Sequence, residues 1–375
     1  MQDIEKALQV PEIQSGTKFW MIRTKQGLFF DEFLRESYIG IGWNTILRDD
    51  LTISSDILKA KLKMEYGEKA PGSALSKCIR FCQKMQKDDI VMIVDKERIA
   101  FARVGEYYEE NRREWTLEYE QTMNNMVASG DYDYKELVCP YKKRRRIALI
   151  GRIGELKRIS PYLLNAISGN LHSLSSMDKY GELMLSACFD AFIYRNKLTL
   201  TCRVAQRKDI NLCDFQDLLT ASKLFYTYSR EDVKIKAALH SPGDVLLQVV
   251  NFVKDNPFPV LLFYLFIFGG RAKDYEFPSL SALVGKLLRR KYHKKKEELE
   301  LRKLKAEVRL KELELIEKES KMDYEALQKC ANELIQAAGN LDITPTVETL
   351  KQVKDLIEQI ENEPDYPDPD WMPKD

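Results

Sequence analysis

Between Lys18 and Asn44 the chain reads KFWMIRTKQGLFFDEFLRESYIGIGWN, and no other stretch limits its fold as much. The run Phe19-Trp20-Met21-Ile22, followed by Arg23, is apolar and β-prone and predicts a strand. Gln26-Gly27 supplies a turn. Phe29, Phe30, Phe33 and Leu34 then recur at helical spacing, with Asp31, Glu32 and Arg35 between them. Tyr38–Trp43 predicts a second strand, in which Gly40 and Gly42 let another backbone or a ligand come close. Trp20 and Trp43 stand at the two ends of this unit. Two readings of them are open: both are core aromatics of a small barrel, or at least one lines a pocket for a planar group.

Later stretches extend the pattern. Phe81–Val94, FCQKMQKDDIVMIV, reads as a helix, an acidic turn and a strand. Ile99–Tyr108, IAFARVGEYY, reads as the next strand, and Lys142–Ile153, KKRRRIALIGRI, as a basic closing strand. A strand with W-x-x-R, a short Phe-bearing helix and then I-G-x-G-W resembles the PUA-like (EVE-related) module. That module stands at the front of Mrr-type and other modification-dependent restriction and phage-defence proteins. The resemblance covers about residues 18–155, with one departure: Ala148-Leu149 stand where the closing strand commonly carries a Trp. It implies a small β-barrel that binds a nucleic acid base, a modified base or a nucleotide. Trp20 and Trp43 would give stacking faces, and Arg23, Asn44 and Tyr107 polar contacts.

At 375 residues the chain has room for two or three domains. Lys+Arg 59 against Asp+Glu 58 leaves a net charge of +1, so any attraction to a polyanion must come from local patches. Seven scattered cysteines predict a reducing, cytoplasmic setting, and the polar Met1–Gln14 stretch predicts no signal peptide. Cys78 and Cys82 share a helix face, but no second Cys or His pair lies at zinc-ligand spacing. Neither a metal nor another cofactor is expected.

Residues 1–17 read as a leader and 18–157 as the first domain. Within that domain the polar insertion Glu109–Glu136 is expected to be mobile. Residues 160–253 predict a small α+β domain. Ser160-Pro161 opens one helix, and Ser176 or Asp178 caps another that runs to about Tyr194. Lys197–Ala205 alternates as a half-buried strand, Asp209–Tyr226 reads as a helix and Val233–Leu239 as a strand. Ser241-Pro242-Gly243 turns into a helix carrying Val245, Leu246, Val249, Val250 and Val253.

Pro257–Gly270, PFPVLLFYLFIFGG, has no charge. As a helix it spans ~21 Å, short of the ~30 Å hydrocarbon core. It fits a buried core element, an oligomer interface or a membrane-embedded segment. Downstream, Leu280, Leu283, Val284, Leu287 and Leu288 form one stripe backed by Lys286, Arg289, Arg290 and later lysines. A basic amphipathic helix beside an apolar run is the composition of a membrane-surface element, here residues 257–296. Phe258, Phe263, Phe266, Leu283, Leu287, Arg289 and Arg290 would meet an anionic inner-membrane face. Residues 297–361 predict a long charged helix to Tyr324 and then a helical hairpin, with 299–322 a candidate for self-association despite Lys311 and Lys318 in its seam. Residues 362–375 are an acidic, Pro-rich tail, expected to be disordered.

Catalytic signatures are missing from the sequence. It has no Gly-rich phosphate loop and no G-x-S-x-G elbow. Glu155-Leu156-Lys157 matches the E-x-K triplet of nucleases without their apolar strand, so no enzyme is expected. The basic run Lys142, Lys143, Arg144, Arg145, Arg146 is either a grip on phosphates or counter-charge to Glu106, Glu109 and Glu110. The whole is expected to be a non-enzymatic α+β protein: a PUA-like barrel, a small α+β domain, and a C-terminal long helix with a hairpin. The function expected is that of a prokaryotic defence sensor or adaptor working with a separate effector protein. The other reading is a membrane-associated or oligomeric assembly protein.

Overall fold

The structure, a computed structural model, describes residues 10–25, 27–111, 116–129, 138–156, 159–204, 232–237, 243–250 and 306–362, with scattered positions at 213, 216 and between 286 and 297. The chain is mixed α/β, of the α+β kind, and divides into two units: Ile13–Phe189, and Asp190–Asp375 with Met1–Glu12. The expected helix 209–226 apart from positions 213 and 216, the apolar run 257–270, the stripe residues 280, 283, 284, 287 and 288, and the tail 363–375 fall outside the described residues.

The first unit is built on a curled, half-barrel sheet. Its strands are β2 (Phe19–Arg23), β3 (Tyr38–Ile41), β4 (Ile90–Val94), β5 (Arg98–Glu109), β6 (Lys143–Glu155) and β7 (Leu174–Ser176), with β1 reserved for Glu12–Ile13 in the other sheet. They lie in the order β3-β6-β5-β4-β2-β7. Only β2 and β4 run parallel. Phe19, Trp20, Met21 and Ile22 are all buried, as a strand covered on both faces requires. β5 and β6 are long, and their register shifts between Ile99 and Phe101 and between Val104 and Tyr107. Such bulges bend and twist a strand, and these two curl the sheet around its core.

The helices of this unit are α1 (Phe30–Arg35), α2 (Ser55–Tyr66), α3 (Pro71–Ile79, continued by a π turn Arg80–Lys84), α4 (Leu117–Ser129), α5 (Pro161–Ser168) and α6 (Gly181–Cys188). The core joins Trp20, Phe29, Phe30, Phe33, Tyr38, Leu58, Leu62, Leu75, Phe81 and Val91 into one cluster. Three expectations are corrected. The insertion 109–136 is not simply loose, since it carries α4, whose Glu120 and Met123 are buried. The first unit runs on past 157, because β7 pairs with β2 through Leu174↔Ile22. The helix expected to reach Tyr194 ends at Cys188, and Ala191–Tyr194 is a strand.

The second unit holds a sheet in the order β1-β8-β9-β11-β10, with β8 Ala191–Tyr194, β9 Lys197–Val204, β10 Asp232–Ala237 and β11 Gly243–Val250. Thr199 and Thr201 are buried as well as Leu198, Leu200 and Cys202, so β9 is covered on both faces. The helix expected after Gly243 is β11 instead, antiparallel to β9 through Val245↔Cys202, Leu247↔Leu200 and Val249↔Leu198. Its valines suit a pleated strand better than a helix. α7 (Ala306–Asn340) runs without the break expected at Glu325. The short turn 341–345 then leads into α8 (Val347–Glu361), whose N-cap Thr346 accepts the Thr349 amide. Thr346 also donates from both its amide and its hydroxyl to Asp190.

Candidate ligand site

The five residues expected to face a ligand are not brought to one place. Trp20 is 4% exposed and belongs to the core. Its Nε1 donates to Asp89 Oδ2 at 2.8 Å, and the same carboxylate takes the amides of Lys18 and Gln86. This indole is fixed from strand to turn and offers no stacking face. Arg23 gives its guanidinium to the carbonyls of Ile167 and Asn170, where it ties β2 to the end of α5. Asn44 is buried, donates to Pro140 O at 2.7 Å and accepts the Lys142 amide.

Trp43 is different. It leaves β3 in a left-handed conformation, φ 60°, which costs a non-glycine residue ~1–2 kcal/mol. The expected strand Tyr38–Trp43 therefore stops at Ile41. The ring is half-buried, its Nε1 donates to Glu68 Oε1 at 2.7 Å, and Lys77 Nζ lies 5.4 Å from its centroid. Tyr107 is also half-buried. Its hydroxyl donates to Glu109 Oε1 at 2.7 Å, and the guanidiniums of Arg48 and Arg145 lie 5.4 and 5.6 Å from its ring centre. Burial, with help from Glu109 and Cys82, holds its phenol well above the usual range.

The basic run is mostly structural. Lys143 is fully buried, and its ammonium bonds the carbonyls of Trp43 and Ile46. Arg144 donates to the carbonyls of Tyr141 and Cys139 and lies 3.9 Å from the Tyr38 ring centre. Arg145 donates to Phe81, Cys82 and Gly105 carbonyls, closing the end of the π turn. Burial lowers its guanidinium pKa. These three buried cations are taken up by main-chain oxygens, and Arg144 also faces Glu110 at 3.8 Å, so the counter-charge reading fits them better than a grip on phosphates. Partly exposed Lys142 and exposed Arg146, the latter stacked on Tyr108 at 4.6 Å, keep their reach. Arg289 and Arg290 are helical and partly buried, and the other expected membrane residues lie outside the described ones.

One residue of the site has no signal in its own neighbourhood of the sequence. Glu120, from α4, is 2% exposed, and its Oε1 accepts the Trp43 amide at 2.8 Å. Its Oε2 accepts the Asn44 amide at 3.2 Å and the Tyr66 hydroxyl at 2.8 Å. Burial, reinforced by Glu120, pushes the Tyr66 phenol up. A Cβ on Gly42 would come within 2.7 Å of Glu120 Oε1. The close approach that Gly40 and Gly42 permit is thus made by Tyr141, Lys143 and this carboxylate. Burial lowers the Lys25 pKa against the pull of Glu120, and Lys25 bonds Asn124 on the same helix.

Among the described residues, no group of three or more His, Cys, Asp or Glu is placed to hold a metal. No described helix is long and apolar enough to cross a membrane. Fold and site together define a mixed α/β protein whose half-barrel presents one left-handed, partly open tryptophan. Residues 20–124 match the model of a family described as a domain of unknown function, DUF8426. No curated protein and no solved structure matches the chain.

Proposed function

We propose that the first unit is a PUA-like (EVE-related) module that binds a nucleic acid base, a modified base or a nucleotide on Trp43. The chain would then serve as a sensor or adaptor in a prokaryotic defence system and pass the signal to a separate effector protein. Trp43 carries this reading. An aromatic residue held at φ 60° by its neighbours is a strained feature, and such strain gathers at binding sites. Its ring is pinned at one edge by Glu68, so little entropy is lost when a base stacks on it. Lys142 and Arg146 supply the cations for adjoining phosphates. Anisotropy titration of labelled oligonucleotides and nucleotides, on the full chain at two salt concentrations, is the test. Trp43→Ala should lose ~1–3 kcal/mol of binding and Arg146→Gln about one phosphate contact from the salt slope. A folded Trp43→Ala that binds like the parent removes the site, and no affinity for any nucleic acid or nucleotide removes the function.

A second reading, self-assembly, rests on α7. Leu315 and Met322 are 57% and 58% exposed and stand one heptad apart on a 35-residue helix. A seam with that spacing suits a coiled coil with a second copy. Light scattering of the parent and of Leu315→Glu with Met322→Glu separates the two. Equal mass per particle in both leaves α7 out of any assembly.

A further inference from the structure

We propose that the Gly42–Asn44 turn is an anion seat, filled in this structure by Glu120, and that a phosphate of the ligand takes the carboxylate's place. This rests on the reading of Trp43 as a stacking face and says which ligand group sits beside it.

The seat is made of main chain. Trp43 in the left-handed region turns its own amide and that of Asn44 toward one point, and the two amides reach the two oxygens of one carboxylate at 2.8 and 3.2 Å. Successive amides converging in this way form a concavity for an anion. The Tyr66 hydroxyl adds a third donor at 2.8 Å. Thr45 lies next along the chain, and its amide donates to the same Tyr66 hydroxyl at 3.4 Å. Gly42 completes the floor, because any side chain there would meet the bound oxygen.

The surroundings favour negative charge. Lys143 braces the carbonyls of Trp43 and Ile46, Lys61 Nζ donates to Thr45 O at 2.7 Å, and Lys77 lies by the Trp43 ring. Lys25 feels the Glu120 charge from α4's own side. The opposing carboxylate is Glu68, from the loop between α2 and α3, which takes the indole N–H. A phosphate presents more acceptor oxygens than a carboxylate and so can take the two amides and the Tyr66 hydroxyl on separate oxygens. Stacking face and anion seat belong to the same turn, since the Trp43 amide is itself one of the seat's donors. Glu120 comes from the excursion between β5 and β6 and not from the sheet, so its side chain can leave without breaking a strand pair.

The test uses the full chain. Glu120→Ala empties the seat and leaves its donors in place. Its thermal midpoint is compared with the parent's in inorganic phosphate and in chloride at equal ionic strength. Phosphate should raise the variant by several degrees and the parent by clearly less, since in the parent it must first displace Glu120. Equal shifts overturn the proposal. Should Glu120→Ala fail to fold, Glu120→Gln decides. It keeps the volume but sets an NH2 group against a main-chain amide, which loosens the hold. A nucleoside 5′-monophosphate should bind it about tenfold more tightly than the parent, the worth of one charge-assisted hydrogen bond freed for the ligand. Unchanged or weaker binding overturns the proposal, as does an equal gain for the nucleoside without phosphate. The two readings also fail separately. Phosphate rescue with no nucleotide affinity in any form keeps the seat and removes the stacking role. Nucleotide binding indifferent to Glu120 keeps the stacking role and removes the seat.

Discussion

The ammonium of Lys143 donates to the carbonyl oxygen of Trp43 at 2.5 Å, across 100 residues of sequence. A cation in a basic run thereby becomes the brace under the loop that holds the candidate site. Lys143→Met should cost ~1–3 kcal/mol, because the carbonyls of Trp43 and Ile46 lose a buried donor. Urea unfolding measures it. The salt slope of oligonucleotide binding should stay as in the parent, and a slope reduced in a folded variant would return Lys143 to the phosphate set.

Gly42→Ala places a methyl group 2.7 Å from Glu120 Oε1 and 3.2 Å from Tyr141 Cε1. Overpacking of this kind costs ~1–3 kcal/mol. Removing the carboxylate first relieves most of it, so Gly42→Ala should cost less in a Glu120→Ala background than in the parent. A double-mutant cycle reads the coupling directly. Additive losses would mean that Tyr141, not Glu120, sets the requirement for glycine.

Trp20 and Trp43 answer differently to the same test. Trp20→Phe leaves Asp89 without one of its donors and should cost ~1–3 kcal/mol of stability, with ligand affinity unchanged. Trp43→Ala should show the reverse order of effects. Denaturation and titration on both variants check the pair, and an affinity loss in folded Trp20→Phe would put the buried indole back in the site.

How much of this was legible follows from where each residue finds its partners. β2 and β4 are plain in the sequence because every residue from Phe19 to Ile22 and from Ile90 to Val94 is apolar and buried. Gly243–Val250 is not, since Val245, Leu246, Val249 and Val250 also fall on one helical stripe, and pairing with β9 decides the matter. The fate of the basic run is hidden for another reason. Arg145 is buried because the carbonyl of Phe81, 64 positions earlier, needs a donor at the end of a π turn. Glu120 is one acid among several in a polar insertion, and its partner amide lies 77 positions away. Gly42, required by the approach of that carboxylate, is its only trace in the strand–helix–strand stretch.

Alkaline pH should unfold the first unit by linkage. Burial pushes the Cys82 thiol up to about 11 from 9.0 and raises Cys78 and Cys139 as well. It also raises the phenols of Tyr38, Tyr66, Tyr107 and Tyr141 above 10.0. Each of these groups is an acid whose folded pKa exceeds its unfolded one, so the folded chain holds more protons once the pH passes the unfolded value. Stability is then full below 9.0, where the unfolded thiols are still protonated, and falls as the pH climbs through the thiol and phenol ranges. Lys25 works the other way, since its pKa is lowered and its burden eases as it loses its proton. The seven raised thiols and phenols outweigh Lys25 and the likewise lowered Arg23 and Arg145, which leaves a net loss. The denaturant midpoint, followed from neutral pH upward, should decline from about pH 9. A flat midpoint through that range would mean that these thiols and phenols meet water in the folded chain.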